Sequence, residues 1–170
     1  MPPKPVATIK APSFHADVNM RGYNSVLTID GIDGFSQYCD KGIDVISFNF
    51  TIGMTAAGGS ASSRINFDGL LIKKAIDKAT PMLFKALAER QQIANAAIHI
   101  YRDPTAGGKT SEHFFTISLG DVYVTRQIIL DPEGKDSSGV PYEEVTITAN
   151  SIEYNHIKAN KVANIMLTQG

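Results

Sequence analysis

His99 and His113 flank a Gly-containing segment between two strand-like runs, and their type and spacing are the first to suggest chemistry. If that segment is a hairpin loop, the two imidazoles lie close across adjacent strands. A zinc site needs at least three protein ligands, so two histidines leave it short, and a surface or interface pair is the expectation. The remaining histidines, His15 and His156, add no ligand spacing. Cys39 is the single cysteine, which rules out an intrachain disulfide and a cysteine metal cluster. A catalytic cysteine needs an activating base, and no His stands near it in sequence, so a bystander thiol is expected. The run "GGKT" at Gly107–Thr110 invites a phosphate loop, but Asp103 occupies the position of the earlier glycine and the strand-like "EHFFTISL" follows where a helix is required. "DGIDG" at Asp30–Gly34 resembles half of a calcium loop, yet Ile32 fills a ligand position and Lys41 stands where a Glu is needed. "DPEGKDSSGVPYEE" fails the same test at Lys135 and Tyr142. Glu143 and Glu144 are adjacent on a strand-like run and point to opposite faces, so they form no acid–base pair. No Gly-x-Ser-x-Gly elbow occurs. These residues predict no catalytic site, no bound metal and no cofactor.

The elements that position them are mostly strands. Alternation places Leu27 and Ile29 on one face; Ile46, Phe48, Phe50 and Ile52 alternate with Ser47, Asn49 and Thr51. Ile65, Phe67 and Leu71 are spaced for one face, although Leu70 and Ile72 blur it. Ile98 and Ile100 flank His99; Phe115, Ile117 and Leu119 follow; Val122, Val124, Ile128 and Leu130 share a parity that Arg126 interrupts. Val145 and Ile147 alternate with Glu144, Thr146 and Thr148, and the apolar parity then flips to Ile152 and Tyr154, which predicts a bulge or bend near Asn150 or Ser151. Seven to nine strands in this length predict an antiparallel β-barrel or two-sheet sandwich. One helix breaks the series, predicted from Pro81 to about Gln91. Thr80 is placed to cap it, Pro81 suits its first turn, and Leu83, Phe84 and Leu87 are its expected core face.

Composition bounds the rest. The chain has 170 residues, 43% hydrophobic and 19% charged, which suits one domain with a real core. Residues 1–23 read as a Pro-rich arm with a possible edge strand at Val6–Lys10, and residues 24–170 as a single domain. The arm lacks the apolar stretch of a signal peptide. No apolar run approaches the roughly 18 residues of a membrane span, so no membrane insertion is expected. A net charge of −1 without a Lys/Arg run predicts no nucleic-acid partner. The segment Gly53–Ser63 is Gly- and Ser-rich, carries no charge, and is too long for a tight hairpin.

The order of these elements resembles the haemolysin-coregulated protein family, the tube proteins of bacterial type VI secretion systems. The resemblance is carried by "VLTIDGIDG", "KGIDVISFNF", the Gly/Ser-rich loop, "INFDGLLIKKAIDKATPMLFKALAE", "IANAAIHIYR", "DVYVTRQIIL" and "EEVTITANSIEY", and covers roughly Asn24 to His156. Its most specific part is "KAIDKATPMLFKAL" at Lys74–Leu87, a strand ending in a basic-Asp-Lys-small-Thr-Pro segment followed by a Leu-rich helix. "GFSQYCD" departs from the family, with Phe35 where members often carry a Glu, and the arm is longer than usual.

The resemblance implies a β-barrel flanked by one helix and assembled as a hexameric ring. It implies that rings stack into a tube inside a contractile sheath, with a spike protein at the tip and effector proteins in the lumen. It implies assembly in the cytoplasm and secretion without a cleavable signal peptide. Gly53, Thr55, Gly58, Gly59, Ser60 and Ser62 become the candidate ring-stacking contacts. Ser47, Asn49, Thr51, Thr146 and Thr148 become candidates for a wet lumen wall. Two alternatives stand beside this: the tail-tube protein of a related contractile phage-like particle, and a monomeric ligand-binding β-barrel with an apolar cavity.

Overall fold

A computed structural model describes residues 22–55, 64–103, 110–131 and 141–167. The arm and its expected strand at Val6–Lys10 lie outside the described residues. Eleven strands and one helix follow: β1 (Tyr23–Ile29), β2 (Ile43–Val45), β3 (Ser47–Asn49), β4 (Ile52–Thr55), β5 (Arg64–Phe67), β6 (Leu70–Ala75), α1 (Thr80–Ala88), β7 (Ile93–Arg102), β8 (Glu112–Leu130), β9 (Tyr142–Thr148), β10 (Ser151–His156) and β11 (Lys161–Met166).

Every pairing is antiparallel. The main path runs β2-β1-β7-β8-β9-β6-β3, with β10 joined to β8 and β11 to β10, while β4 and β5 form a separate hairpin. The 19-residue β8 organises the fold. Its first part, Phe115–Gly120, lies between β7 and β10, and its second, Tyr123–Leu130, pairs with β9. Asp121 turns the strand between these parts with φ of 51°. Gly120 stands beside it, where a Cβ would meet the Ser151 hydroxyl of β10 and make that side chain turn away. The sheet folds over itself but does not close into the expected barrel. Its two end strands, β2 and β3, are joined by the chain at Ile46, not by a ladder: β2 bonds to β1, and β3 bonds to β6.

The parity flip at residue 150 follows from this topology. β9 belongs to one half of the folded sheet and β10 to the other, and the chain changes halves where Asn150 N–H donates to Gly120 O (2.9 Å). The register shift behind the Arg126 irregularity lies between Val124 and Arg126 in the β8–β9 ladder, a second between Ile100 and Tyr101. The single face expected for Ile65, Phe67 and Leu71 is not formed. Gly69, with φ of +93°, separates β5 from β6, and β6 then buries Leu70, Ile72 and Lys74 while Leu71 faces away.

The core lies inside the folded sheet. Leu27, Ile43, Leu70, Ile72, Ile98, Val122, Val145 and Ile147 are almost fully buried there. The helix covers this core with Ala79, Leu83 and Ala86, spaced i, i+4, i+7 on one stripe, and with half-buried Leu87. Phe84 is 62% exposed, contrary to expectation, because it sits a further 100° or so round the helix from Leu83. The helix begins at Thr80 and ends sooner than Gln91. Arg90 takes a left-handed φ of 51°, and Gln91 N–H returns to Ala86 O (2.9 Å), a helix-closing bond with Arg in the place glycine usually fills. Thr80 is not the cap. Ala79 is, with no side-chain cap bond, and the Thr80 hydroxyl is engaged elsewhere.

Candidate functional site

The segment Lys74–Leu87 draws its specificity from a buried charge cluster. Lys74 on β6 and Glu143 on β9 are both fully buried and meet at 2.6 Å. Lys74 Nζ also donates to Asp77 Oδ1 (2.8 Å) and to Ala75 O (2.9 Å). Glu143 Oε1 accepts from the Thr80 hydroxyl (2.6 Å), and Oε2 accepts from Gln127 Nε2 (2.5 Å). Gln127 Nε2 reaches Thr80 O as well (3.3 Å). Asp77 Oδ1 accepts from Ala79 N–H (2.9 Å), and Thr80 Oγ1 accepts from Asp77 N–H (3.0 Å), so both side chains order the turn into the helix. The cluster therefore ties the helix start to β6, β8 and β9 at once. A buried pair of this kind needs every lone pair and proton engaged, which these partners supply. Glu143 has the buried parity of Val145 and Ile147, and Lys74 that of Leu70 and Ile72. That alternation is visible in the sequence and turns both residues inward, while their meeting comes from the β6–β9 pairing.

The surfaces come next. Outside the core, β3, β6 and β9 turn a mostly polar face outward: Ser47 and Asn49, Leu71 and Lys73, then Glu144, Thr146 and Thr148. Arg126 and Ile128 continue it on β8. Lys73 lies over the Tyr142 ring (5.1 Å) on the same face. At the other end of the sheet β11 pairs, among the described residues, only with β10. It leaves Val162 56% and Met166 74% exposed. Phe35, Met54, Met82 and Phe84 are the other strongly exposed apolar side chains near loops or the helix, with Lys78 Nζ 3.7 Å from the Phe35 ring centre.

The candidate stacking residues divide. Gly53 and Thr55 lie in β4, where Gly53 pairs with Asn66 and Thr55 with Arg64, so the connection is shorter than the eleven residues expected. Gly58, Gly59, Ser60 and Ser62 lie outside the described residues. The hairpin they join stands apart from the main sheet.

The two histidines do meet across β7 and β8, edge to face, with ring centres 5.2 Å apart. Among the described residues no group of three or more His, Cys, Asp or Glu is placed to hold a metal ion. Burial first, then His113, holds His99 below the usual imidazole range. Tyr101 is pushed up, first by burial and then by Cys39 beside it. Cys39 is half-buried, with its thiol directed to Asp40 O (3.6 Å). No helix among the described residues is long and apolar enough to cross a membrane.

With fold and surfaces in place, the comparisons with known proteins are specific. The family model described as "Type VI secretion system effector, Hcp" matches residues 26–156. A solved structure titled as an Hcp protein superposes with a TM-score of 0.74 at 18% identity, over 87% of this chain and 99% of that one. Hcp1 from Salmonella typhimurium gives 0.65 at 22% identity, over 85% and 95%. The secreted protein Hcp3 from Pseudomonas aeruginosa gives 0.65 at 19%, over 86% and 98%. A comparison with curated proteins finds no match. The structural likeness establishes the fold, and the family model spans most of the chain: the chain belongs to the Hcp family of type VI secretion tube proteins.

Proposed function

We propose that this chain is the inner-tube subunit of a type VI secretion machine, forming closed rings of six copies that stack into a tube and leave the cell with it. The observation that carries the reading is the open sheet. Among the described residues a six-residue edge strand, β11, has a partner on one side only and presents Val162 and Met166 to solvent. An unprotected edge of this kind invites pairing with another chain, and a head-to-tail contact that closes on itself makes a ring. The polar outer face of β3, β6 and β9 is suited to line a wet lumen through which effector proteins travel. A contractile sheath outside the tube and a spike protein at its tip are the partners the reading requires, and it needs no catalytic step.

Light scattering on the purified chain tests the ring directly. The expected mass is six times that of the 18.4 kDa chain, with rings of one diameter in negative-stain images. A monomer throughout the micromolar range, with no rings, would sink the proposal.

A further inference from the structure

Four rings form one row on the outward face of β1, β7 and β8. Tyr38, from the connection between β1 and β2, stacks on Tyr101 with ring centres 5.5 Å apart. Tyr101 stacks on His113 (4.9 Å), and His113 meets His99 edge to face (5.2 Å). The connection that carries Tyr38 is pressed against the sheet. Gly42 sits where a Cβ would overlap the Val26 side chain, and Val26 is fully buried although it points away from the core side occupied by Leu27 and Ile98. Gly34 N–H donates to Lys41 O (2.8 Å) and Gly42 N–H to Cys39 O (3.0 Å), closing the loop on itself.

The imidazole pair is poorly equipped to hold charge. His99 Nε2 lies 2.9 Å from Thr28 Oγ1, and His113 Nε2 lies 2.8 Å from Thr116 Oγ1. His99 Nδ1 is buried with no hydrogen-bond partner, so a proton placed on it finds no acceptor. A second imidazolium would sit one ring away. Among the described residues neither imidazole is hydrogen-bonded to a carboxylate: Thr116 of β8 bonds His113, Tyr38 and Cys39 of the loop meet Tyr101 of β7, and Asp44 of β2, opposite Val26 on the same face, lies two strands from His99. β1 brings Thr28, and Asn24, two rows along, directs its amide to the Asp103 carboxylate (2.8 Å).

We propose that this row is an acid-sensitive latch: protonation of His99 unstacks Tyr38, lifts the β1–β2 connection from the sheet and uncovers Val26. The sign follows from the closed state, in which burial and His113 lower the affinity of His99 for a proton. The open loop, with His99 hydrated, takes up its proton near pH 6.5, and the closed loop only at lower pH. Between those values opening gains about tenfold for each pH unit, and above them it is flat.

Hydrogen exchange by mass spectrometry on the full chain, following peptides that span residues 30–42 and corrected for intrinsic rates, reads this opening between pH 7.5 and 5. The imidazole carbon signals of His99, followed by NMR over the same range, give its titration. Exchange that rises in step with His99 protonation, and a His99→Gln chain whose loop exchange is flat with pH, is the expected result. Loop exchange independent of pH in the wild type overturns the latch, as does His99 titrating while the loop stays closed. These two wild-type outcomes decide the matter even if His99→Gln fails to fold. Peptides from β9 provide the control, since global unfolding would move them together with the loop.

Discussion

At the scale of single residues, the Lys74–Glu143 pair is where sequence chemistry has the largest structural consequence. Each partner is fully buried, so removing one strands the other in a medium that penalises unpaired charge. Lys74→Met is expected to cost about 3–5 kcal/mol in urea unfolding at neutral pH. Lys74→Met with Glu143→Gln should cost clearly less, because the remaining side chain is then neutral and its one amide oxygen still accepts from Thr80, whose bond goes to a different oxygen from that of Gln127. If the single substitution cost under 1 kcal/mol, or the double cost as much as the sum of the two singles, the cluster would not be the anchor described. Thr80 illustrates the same point from the other side. Its type and position ahead of Pro81 suit a helix cap, but a buried carboxylate 2.6 Å away is a stronger claim on its hydroxyl.

At the scale of elements, the helix and the hairpin make opposite demands. The helix has nine residues, too short to persist without docking. Leu83→Ala should therefore cost about 2–5 kcal/mol, since Leu83 is fully buried, whereas Phe84→Ala should fall within about 0.5 kcal/mol in the isolated subunit. Thermal or chemical denaturation of the two variants side by side checks the face assignment, and equal losses would contradict it. The β4–β5 hairpin contributes Ile52, Ile65 and Phe67 to the margin of the core and otherwise stands off the sheet. Charged, bulky replacements of Gly58 and Gly59, in the sequence between its two strands, are expected on the proposed reading to leave single rings intact by size exclusion and to reduce tube formation in electron micrographs. Loss of the rings themselves would move this segment to the contact between ring neighbours, and unchanged tubes would remove it from both contacts.

At the scale of the whole molecule, an open antiparallel sheet leaves an edge that the proposed ring would cover. β11 has one Lys at its start, no proline and no bulge to discourage pairing, and its outward side chains include Val162 and Met166. Val162→Lys with Met166→Lys should keep the subunit folded, because both side chains are already in solvent, and should shift the chain from ring to monomer in light scattering. A stable ring from that double variant would place the ring contact elsewhere on the surface.

Strand identity, the single helix and the turn at Asp30–Gly34 were legible in alternation and spacing, because each depends on neighbours within a few residues. The proximity of His99 and His113 was legible for the same reason, since a hairpin brings nearby sequence together. What alternation cannot carry is the partner of a face. It separates the faces of Glu143 and Glu144, but the meeting of Glu143 with Lys74 depends on β6 and β9 becoming neighbours across 69 residues. The sheet's failure to close also depends on such distant pairing, through the turn of β8 at Asp121 and the division of labour between β2 and β3. Phe84 faces solvent because the stripe is set by what the sheet offers Leu83 and Ala86, a choice made by packing. Local periodicity thus determined which residues form strands and helix, and only the tertiary structure decided which of them meet, which edge stays open and which apolar residues are left for a partner.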